Sequence, residues 1–250
     1  MKQGSEFIYG PRPVIEAIDA GQEIDRVYLK RDLQGEKSQH ILKLLKERSI
    51  PFQFVPVEKL NRITRKNHQG IIATVSPVTF QDLDQVIPAI YESGRDPLIV
   101  MLDGVTDVRN FGAIARTAEC AGVHAIILPY HGSARINADS LKTSSGALSR
   151  IPVCRVPNLI FATGYLRNSG LMIIGASEKA EKLYSQARIT GPCAFILGSE
   201  DKGISAGLLK RCDELVRIPV MGKISSLNVS AAFAILIYEA VRQKRRNDWY

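Results

Sequence analysis

Five polar side chains, Asn110, Arg116, Glu200, Ser226 and Asn228, occur in three separated segments of this chain, each at a point where apolar sequence gives way to glycine or small polar residues. The segments are Asn110-Phe-Gly-Ala-Ile-Ala-Arg116, Leu197-Gly-Ser-Glu-Asp-Lys-Gly-Ile204 and Ile218-Pro-Val-Met-Gly-Lys-Ile-Ser-Ser-Leu-Asn-Val-Ser230. In an α/β protein such junctions lie at the carboxyl ends of strands, where ligands bind. An amide, a guanidinium, a carboxylate, a hydroxyl and a second amide in one crevice can orient a nucleophile, stabilise negative charge and hold a phosphate. Each segment alone has a plainer explanation. Asn110 and Ser226 or Asn228 suit helix caps, Arg116 suits a solvated helix face, and Gly198–Gly203 suits an ordinary strand-to-helix turn. The trio in this order is what carries weight.

Several chemistries are disfavoured. Gly-x-Gly-x-x-Gly is absent, and the Gly198–Gly203 loop lacks the Lys-Ser/Thr spacing of a phosphate-binding P-loop. The four cysteines, Cys120, Cys154, Cys193 and Cys212, form no Cys-x-x-Cys pair, so no metal site and no disulfide framework is expected. Each lies in or beside apolar sequence, and buried reduced thiols are expected. The formal charge of +8 and isoelectric point near 9.4 favour an anionic partner, most often nucleic acid. Residues 1–76 carry 13 Lys/Arg against 9 Asp/Glu, and residues 97–250 carry 19 against 12. Residues 77–96 carry 1 against 4, so a footprint should involve both ends of the chain. No targeting segment and no membrane span is read, and a cytoplasmic location is expected.

The elements that must position these residues follow from periodicity. Residues 1–76 read as a small α/β domain: helix Val14–Ala20, strand Arg26–Lys30, helix His40–Arg48, strand Phe52–Val57, short helix Val57–Ile63 and strand Gly70–Val75. Residues 77–96, with Pro88 and four acidic side chains, read as a connector containing a helix. Residues 97–250 begin with the buried strand Leu98–Leu102 and a helix starting near Asn110 that buries Phe111, Ile114 and Ala118 and stops at Gly122. Strand His124–Leu128, helix Asp139–Leu148 and strands Leu171–Ala176, Ala194–Leu197 and Leu215–Ile218 follow. A helix from about Asn228 to Arg245, apolar on most sides, ends the chain and should be buried, with a subunit interface as one place for it. Strands separated by helices predict a mostly parallel sheet covered on both faces.

In order and context the three segments resemble the motifs of the SpoU/TrmH family of RNA ribose 2′-O-methyltransferases. The resemblance implies an α/β domain, Leu98 to about Arg245, whose last segment threads a trefoil knot, a topology periodicity never suggests. It implies S-adenosylmethionine as cofactor, contacted at Leu197, Gly198, Ile218, Met221 and Leu227, with Gly203 and Gly222 shaping the loops. Tyr9-Gly10 and His68-Gln-Gly-Ile71 resemble the family's N-terminal RNA-binding domain, which is similar to small ribosomal proteins. This two-domain form implies a homodimer acting on a guanosine 2′-hydroxyl of large-subunit rRNA. A tRNA substrate and a non-catalytic ribosome-assembly factor are the alternatives, and the short basic run Arg242–Arg246 does not by itself favour tRNA. The family's second motif often reads Gly-x-Glu-Gly-x-Gly, and Asp201 stands here in place of the middle glycine. If that position needs a positive φ, aspartate is among the better-tolerated residues.

A ribose hydroxyl is a poor nucleophile until its proton leaves. By resemblance Arg116 either accepts that proton or acts only through its charge, since guanidinium is normally always protonated. Asn110 and Asn228 would orient Arg116 and the ribose, Glu200 would orient by hydrogen bonding, and Ser226 would contact sugar or phosphate.

Overall fold

A computed structural model of the chain describes residues 7–33, 36–224 and 226–244, which divide into two compact units at Thr79/Phe80. Ser225, Arg245 and Arg246 lie outside the described residues.

The first unit is a four-stranded sheet ordered β1-β4-β2-β3, formed by β1 (Phe7–Tyr9), β2 (Ile24–Lys30), β3 (Phe52–Val55) and β4 (Ile71–Val75). β2 and β3 run parallel, while β4 lies antiparallel to both β1 and β2. Helices α1 (Pro11–Asp19) and α2 (Glu36–Glu47) cover one face, where Val14, Ile18, Val27, Leu29, Ile41 and Leu45 pack together. Helix α3 (Val57–Ile63) covers the other through Leu60, against Tyr28, Val55 and Ile72. Gly10 stands at φ 90° before α1 and donates its N–H to Ile71 O at 2.9 Å. Tyr9-Gly10 and the His68–Ile71 turn, far apart in sequence, therefore meet at one end of the sheet.

The second unit holds an eight-stranded sheet in which every pairing is parallel. Its strands are β5 (Phe80–Gln81), β6 (Leu98–Asp103), β7 (Ala125–Pro129), β8 (Val153–Val156), β9 (Met172–Ala176), β10 (Lys182–Leu183), β11 (Cys193–Gly198) and β12 (Glu214–Arg217). The order is β10-β12-β9-β11-β6-β7-β8-β5. Strands β6, β7 and β8 build outward in one direction, and the chain then crosses to β9 and returns to insert β11 beside β6. The β6/β11 boundary is thus a topological switch point, where the loops leaving neighbouring strands part and open a crevice at their carboxyl ends. Helix α4 (Leu83–Glu92) buries Val86, Ile87 and Ile90 against this sheet and tolerates Pro88 in its interior. The remaining helices are α5 (Val108–Cys120), α6 (Ala138–Thr143), α7 (Leu159–Asn168), α8 (Ala206–Leu209) and α9 (Val229–Lys244).

Three expectations change, and two elements were not read from the sequence. The helix expected over Asp139–Leu148 is broken: α6 ends at Thr143, Ser145 and Gly146 turn left-handed at φ 51° and 86°, and a separate 3₁₀ turn covers Ala147–Ser149. Two consecutive left-handed residues cannot continue an α-helix. Strand β8 and helix α7 carry no legible periodicity, because Pro152 and Pro157 frame a four-residue strand that reads as loop. Cys120 is exposed, since it follows the solvent-facing Arg116 by one helical turn on α5. Cys154 and Cys193 are buried as expected and Cys212 is half-buried; burial pushes the Cys154 thiol up to about 12 and the Cys193 and Cys212 thiols to about 11. Finally, α9 is only half buried. Val229, Phe233, Leu236, Ile237 and Ala240 face the core, while Tyr238 is 50% exposed.

Helix α5 lies unusually close to α6. A Cβ at Gly112 would stand 2.6 Å from Thr143 Cβ and 3.1 Å from Ser140 O. Gly112→Ala gains about 1 kcal/mol of helix propensity but overpacks the contact by roughly 1–3 kcal/mol. The net expectation is a loss of roughly 0–2 kcal/mol, read by denaturant unfolding, and a clearly stabilised variant would refute the close contact.

His124 precedes β7 and accepts the Leu98 N–H at Nδ1, 3.0 Å. Burial first, then Arg95 and Lys244, holds its imidazole below the ordinary range. The unfolded chain takes up this proton below about pH 6.5 and the folded chain resists it. Its contribution to stability is therefore complete above about pH 6.5 and declines as the pH falls from there toward the lower folded value. In His124→Asn, which keeps an acceptor, the fall in Tm between about pH 7 and pH 5 should be shallower than in the parent. Parallel melting curves across that range would exclude His124 as a contributor.

Among the described residues no helix is long and apolar enough to cross a membrane.

Candidate active site

The crevice at the carboxyl end of the parallel sheet is built from three loops. The first leaves β6 at Asp103 and enters α5. Asp107, not Asn110, caps this helix, its carboxylate accepting the Asn110 N–H at 2.8 Å. The helix thus begins two residues before Asn110, at Val108, and the Asn110 side chain is released for other contacts.

The second loop leaves β11. Ser199 and Gly203 exchange backbone hydrogen bonds of 3.2 and 2.9 Å, closing a tight turn that presents Glu200. Gly203 lies at φ 66°, in the left-handed region that favours glycine. Asp201 does not share that conformation, so its departure from the family pattern carries no backbone strain. Gly198 is required for space: a Cβ there would stand 2.0 Å from Gly203 C and 2.1 Å from Ile204 N. Asp103 Oδ2 accepts the Ser205 N–H at 2.7 Å and ties this loop back to the end of β6.

The third loop leads into α9. Asn228 Oδ1 accepts from Ser230 N at 3.0 Å and from Ser230 Oγ at 2.6 Å, so the residue does cap the helix. Its Nδ2 points elsewhere, donating to Glu200 Oε1 at 2.6 Å and to Asn110 Oδ1 at 3.0 Å. Asn110 Nδ2 donates to the same Glu200 oxygen at 2.9 Å. One carboxylate oxygen, two amides and three segments 118 residues apart at most close a triangle. Its members are accessible to solvent, so they are available to a substrate.

Beside the triangle opens a cavity of about 270 Å³. Leu197, Gly198, Ile218 and Leu227 line it, as do Glu200 and Ser226. Met221 does not line it and is 96% exposed. Ala176, Ser177, Glu178 and Lys179, at the carboxyl end of β9, also form its wall. These were missed from the sequence, although the end of a parallel strand next to β11 was the signal that could have found them.

Arg116 stands apart. It is exposed on α5 and makes no hydrogen bond or ion pair with any described residue. Six residues of regular helix turn it about 240° from Asn110 and carry it about 9 Å along the axis. It shares its face with the exposed Arg109, seven residues earlier. Among the described residues no cluster of three or more His, Cys, Asp or Glu side chains is placed to hold a metal.

The sequence profile of the SpoU rRNA methylase family matches residues 97–238, which span all three loops. The chain belongs to the SpoU rRNA methylase family. A second profile, for RNA 2′-O ribose methyltransferase substrate binding, matches residues 7–81. The chain is 37% identical over 248 residues to the 23S rRNA (guanosine-2′-O-)-methyltransferase RlmB of Escherichia coli (strain K12), covering 96% of this chain and 99% of that one. The SpoU methyltransferase AviRb from Streptomyces viridochromogenes, solved in complex with AdoMet, superposes with a TM-score of 0.61 at 25% identity over 96% of this chain and 91% of its own. The A. aeolicus TrmH/SpoU tRNA modifying enzyme superposes with a TM-score of 0.56 at 28% identity over 66% of this chain and 85% of its own. As a SpoU member the chain is an RNA 2′-O-ribose methyltransferase, and its methyl donor is S-adenosylmethionine.

The crevice fits that donor. Its floor is apolar, through Leu197 and Ile218, and the exposed Leu227 and Val220 add apolar lining that a purine can use. The glycine at 198 lets the loop backbone close over the end of β11, where any side chain would collide.

Proposed function

We propose that this protein methylates a guanosine 2′-hydroxyl in 23S rRNA, in the cytoplasm, as a homodimer. The observation that carries the reading is the Asn110–Glu200–Asn228 triangle at the edge of the donor cavity. A protein that only bound RNA has no need of a shared carboxylate buttressed by two amides beside a cofactor-sized hollow. The 23S assignment draws on the RlmB relative, which aligns over nearly the full length of both chains, substrate-binding region included.

In this reading Leu197, Gly198, Ile218 and Leu227, which line the cavity, hold the donor. Bound S-adenosylmethionine supplies a methyl group already activated by its sulfonium. What remains for the protein is to place the ribose hydroxyl in line and to help its proton leave. Glu200 fixes both amides, and the amides with Ser226 position the sugar. Arg116 contributes its charge to the adjoining phosphate or to the oxyanion that forms as the proton departs, or takes the proton itself.

Helix geometry gives the dimer a reason. A single α5 sends Asn110 and Arg116 to different sides, so a site that uses both is completed by a second copy. Ala231, Ile235 and Tyr238 on α9, spaced four and three residues apart, leave an open apolar stripe that a partner can cover. The trefoil knot implied by family resemblance agrees with the return of the chain after β12 to bring Asn228 onto the β6–α5 loop.

The test is methyl transfer from labelled S-adenosylmethionine to unmodified 23S rRNA and, separately, to bulk tRNA, with Arg116→Ala as control. Label in a guanosine ribose of 23S rRNA, lost in the variant, is the expected outcome. Label confined to tRNA would overturn the substrate, and full activity of Arg116→Ala would remove the arginine from the site.

A further inference from the structure

The N-terminal unit carries two adjoining hollows that meet at Asn61. One, of about 480 Å³, is bounded by Lys30, Asp32, Lys66, Asn67 and Gln69; the other, of about 520 Å³, by Glu58, Arg62 and Arg65. From Val57 to Gly70 the chain carries four cations, Lys59, Arg62, Arg65 and Lys66, against the single acid Glu58. None of the four makes an ion pair with a described residue. An unbalanced cluster of this kind repels itself unless an anion is brought to it.

The cations are also placed. Lys66 Nζ sits 5.3 Å from the centre of the Tyr9 ring, and Lys59 Nζ 5.2 Å from that of Tyr28. Both rings belong to the sheet, so the ammonium groups are held rather than free to sweep solvent.

His68, in the wall of the first hollow, organises the residue that the two share. Its Nδ1 accepts the Gly70 N–H at 3.0 Å, which makes Nε2 the protonated nitrogen, donating to Asn61 Oδ1 at 2.9 Å. Asn61, exposed, is thereby oriented, and its Nδ2 makes no hydrogen bond with a described residue. Gln69, left-handed at φ 49°, raises its exposed side chain beside Asn67. Three amide side chains at the wall of a hollow offer both donors and acceptors, which suits the edge of a nucleobase. A base reaches such a hollow only when it has left its stack, whereas a duplex presents phosphates alone.

We infer that this groove binds an unpaired stretch of the RNA substrate, with one base edge against Asn61, Asn67 and Gln69 and the flanking phosphates over Arg62, Arg65 and Lys66. The assignment rests on the reading of the chain as an RNA methyltransferase and adds to it the face used and the kind of RNA recognised.

Binding of the full-length protein to a fluorescent hairpin RNA with an unpaired loop, and to a blunt duplex of equal length, tests it. The parent should prefer the looped RNA by about tenfold or more. Arg62→Glu/Arg65→Glu should weaken binding of both RNAs by at least about tenfold and reduce the slope of log affinity against log salt by about 1.5. Asn67→Ala/Gln69→Gly, which removes side chains while suiting the left-handed backbone, should abolish the preference for the loop. Melting curves of each variant separate lost contacts from unfolding. Unchanged affinity and salt slope in folded Arg62→Glu/Arg65→Glu would overturn the groove, as would an intact loop preference in the amide variant. Methyl transfer, assayed in parallel, reads the parent assignment separately. Weakened binding with label only in tRNA would displace the 23S substrate and leave the groove standing, and label in 23S rRNA with unchanged binding would do the reverse.

Discussion

Glu200→Ala is expected to lower methyl transfer at saturating substrates by about 10²-fold, because misplacing positioning groups by about an ångström carries a penalty of that size. The carboxylate is the common acceptor of Asn110 Nδ2 and Asn228 Nδ2, at 2.9 and 2.6 Å. Without it, two amides drawn from opposite ends of the catalytic unit lose the atom that fixes their orientation, and only the 3.0 Å bond between them remains. Glu200→Gln separates geometry from charge. Its amide oxygen can accept both hydrogen bonds, so a purely orienting Glu200 predicts a loss of no more than about tenfold in the glutamine variant. Because the site is open to solvent, Tm should hardly move in either protein, and single-turnover rates are the proper readout. Equal, large losses in both variants would show that the negative charge itself acts on the reaction. Parental rates in Glu200→Ala would remove the triangle from the mechanism.

Gly198→Ala should be comparably damaging by another route. The added carbon would fall 2.0 Å from Gly203 C and 2.1 Å from Ile204 N, both backbone atoms that no rotamer change can withdraw. The turn must therefore lift from the end of β11, which strains the paired Ser199–Gly203 hydrogen bonds and carries Glu200 away from its partners. With the donor in the cavity as proposed, its binding and the triangle fail together, so S-adenosylmethionine affinity should fall by at least about tenfold and turnover by about 10²-fold. Gly198 is the last residue of β11 and the strand's buried residues precede it, so the variant should still fold. Calorimetric titration with S-adenosylmethionine measures the first effect. Undiminished affinity would mean that the loop yields without moving the cavity wall.

Much of this protein can be read along the chain. Uninterrupted apolar runs such as Leu98–Leu102 and Ala194–Leu197 became central strands of a wholly parallel sheet, because only a strand buried on both faces has no polar side to display. Glycine positions were legible where conformation demands them, as at Gly203, since positive φ is a local property of the backbone. The three motifs were legible for the same reason: the residue types suited to orienting a hydroxyl stand at junctions that the periodicity itself marks.

Other features were decided by long-range packing and leave little local trace. β8 is a four-residue strand between prolines, and only its neighbours β7 and β5 make it one. Asn110 looked like a helix cap, yet Asp107 takes that role and frees the Asn110 amide to reach Glu200, 90 residues away. Arg116 belongs to the same motif as Asn110, and helical rotation alone sends it to another face. The sequence by itself determined which residues could do the chemistry, because that depends on functional groups and on turns set within a few residues. Only the tertiary structure decided which of them meet, because hydrogen bonds between Asn110, Glu200 and Asn228 depend on the insertion of β11 beside β6, a choice made by burial across the whole sheet.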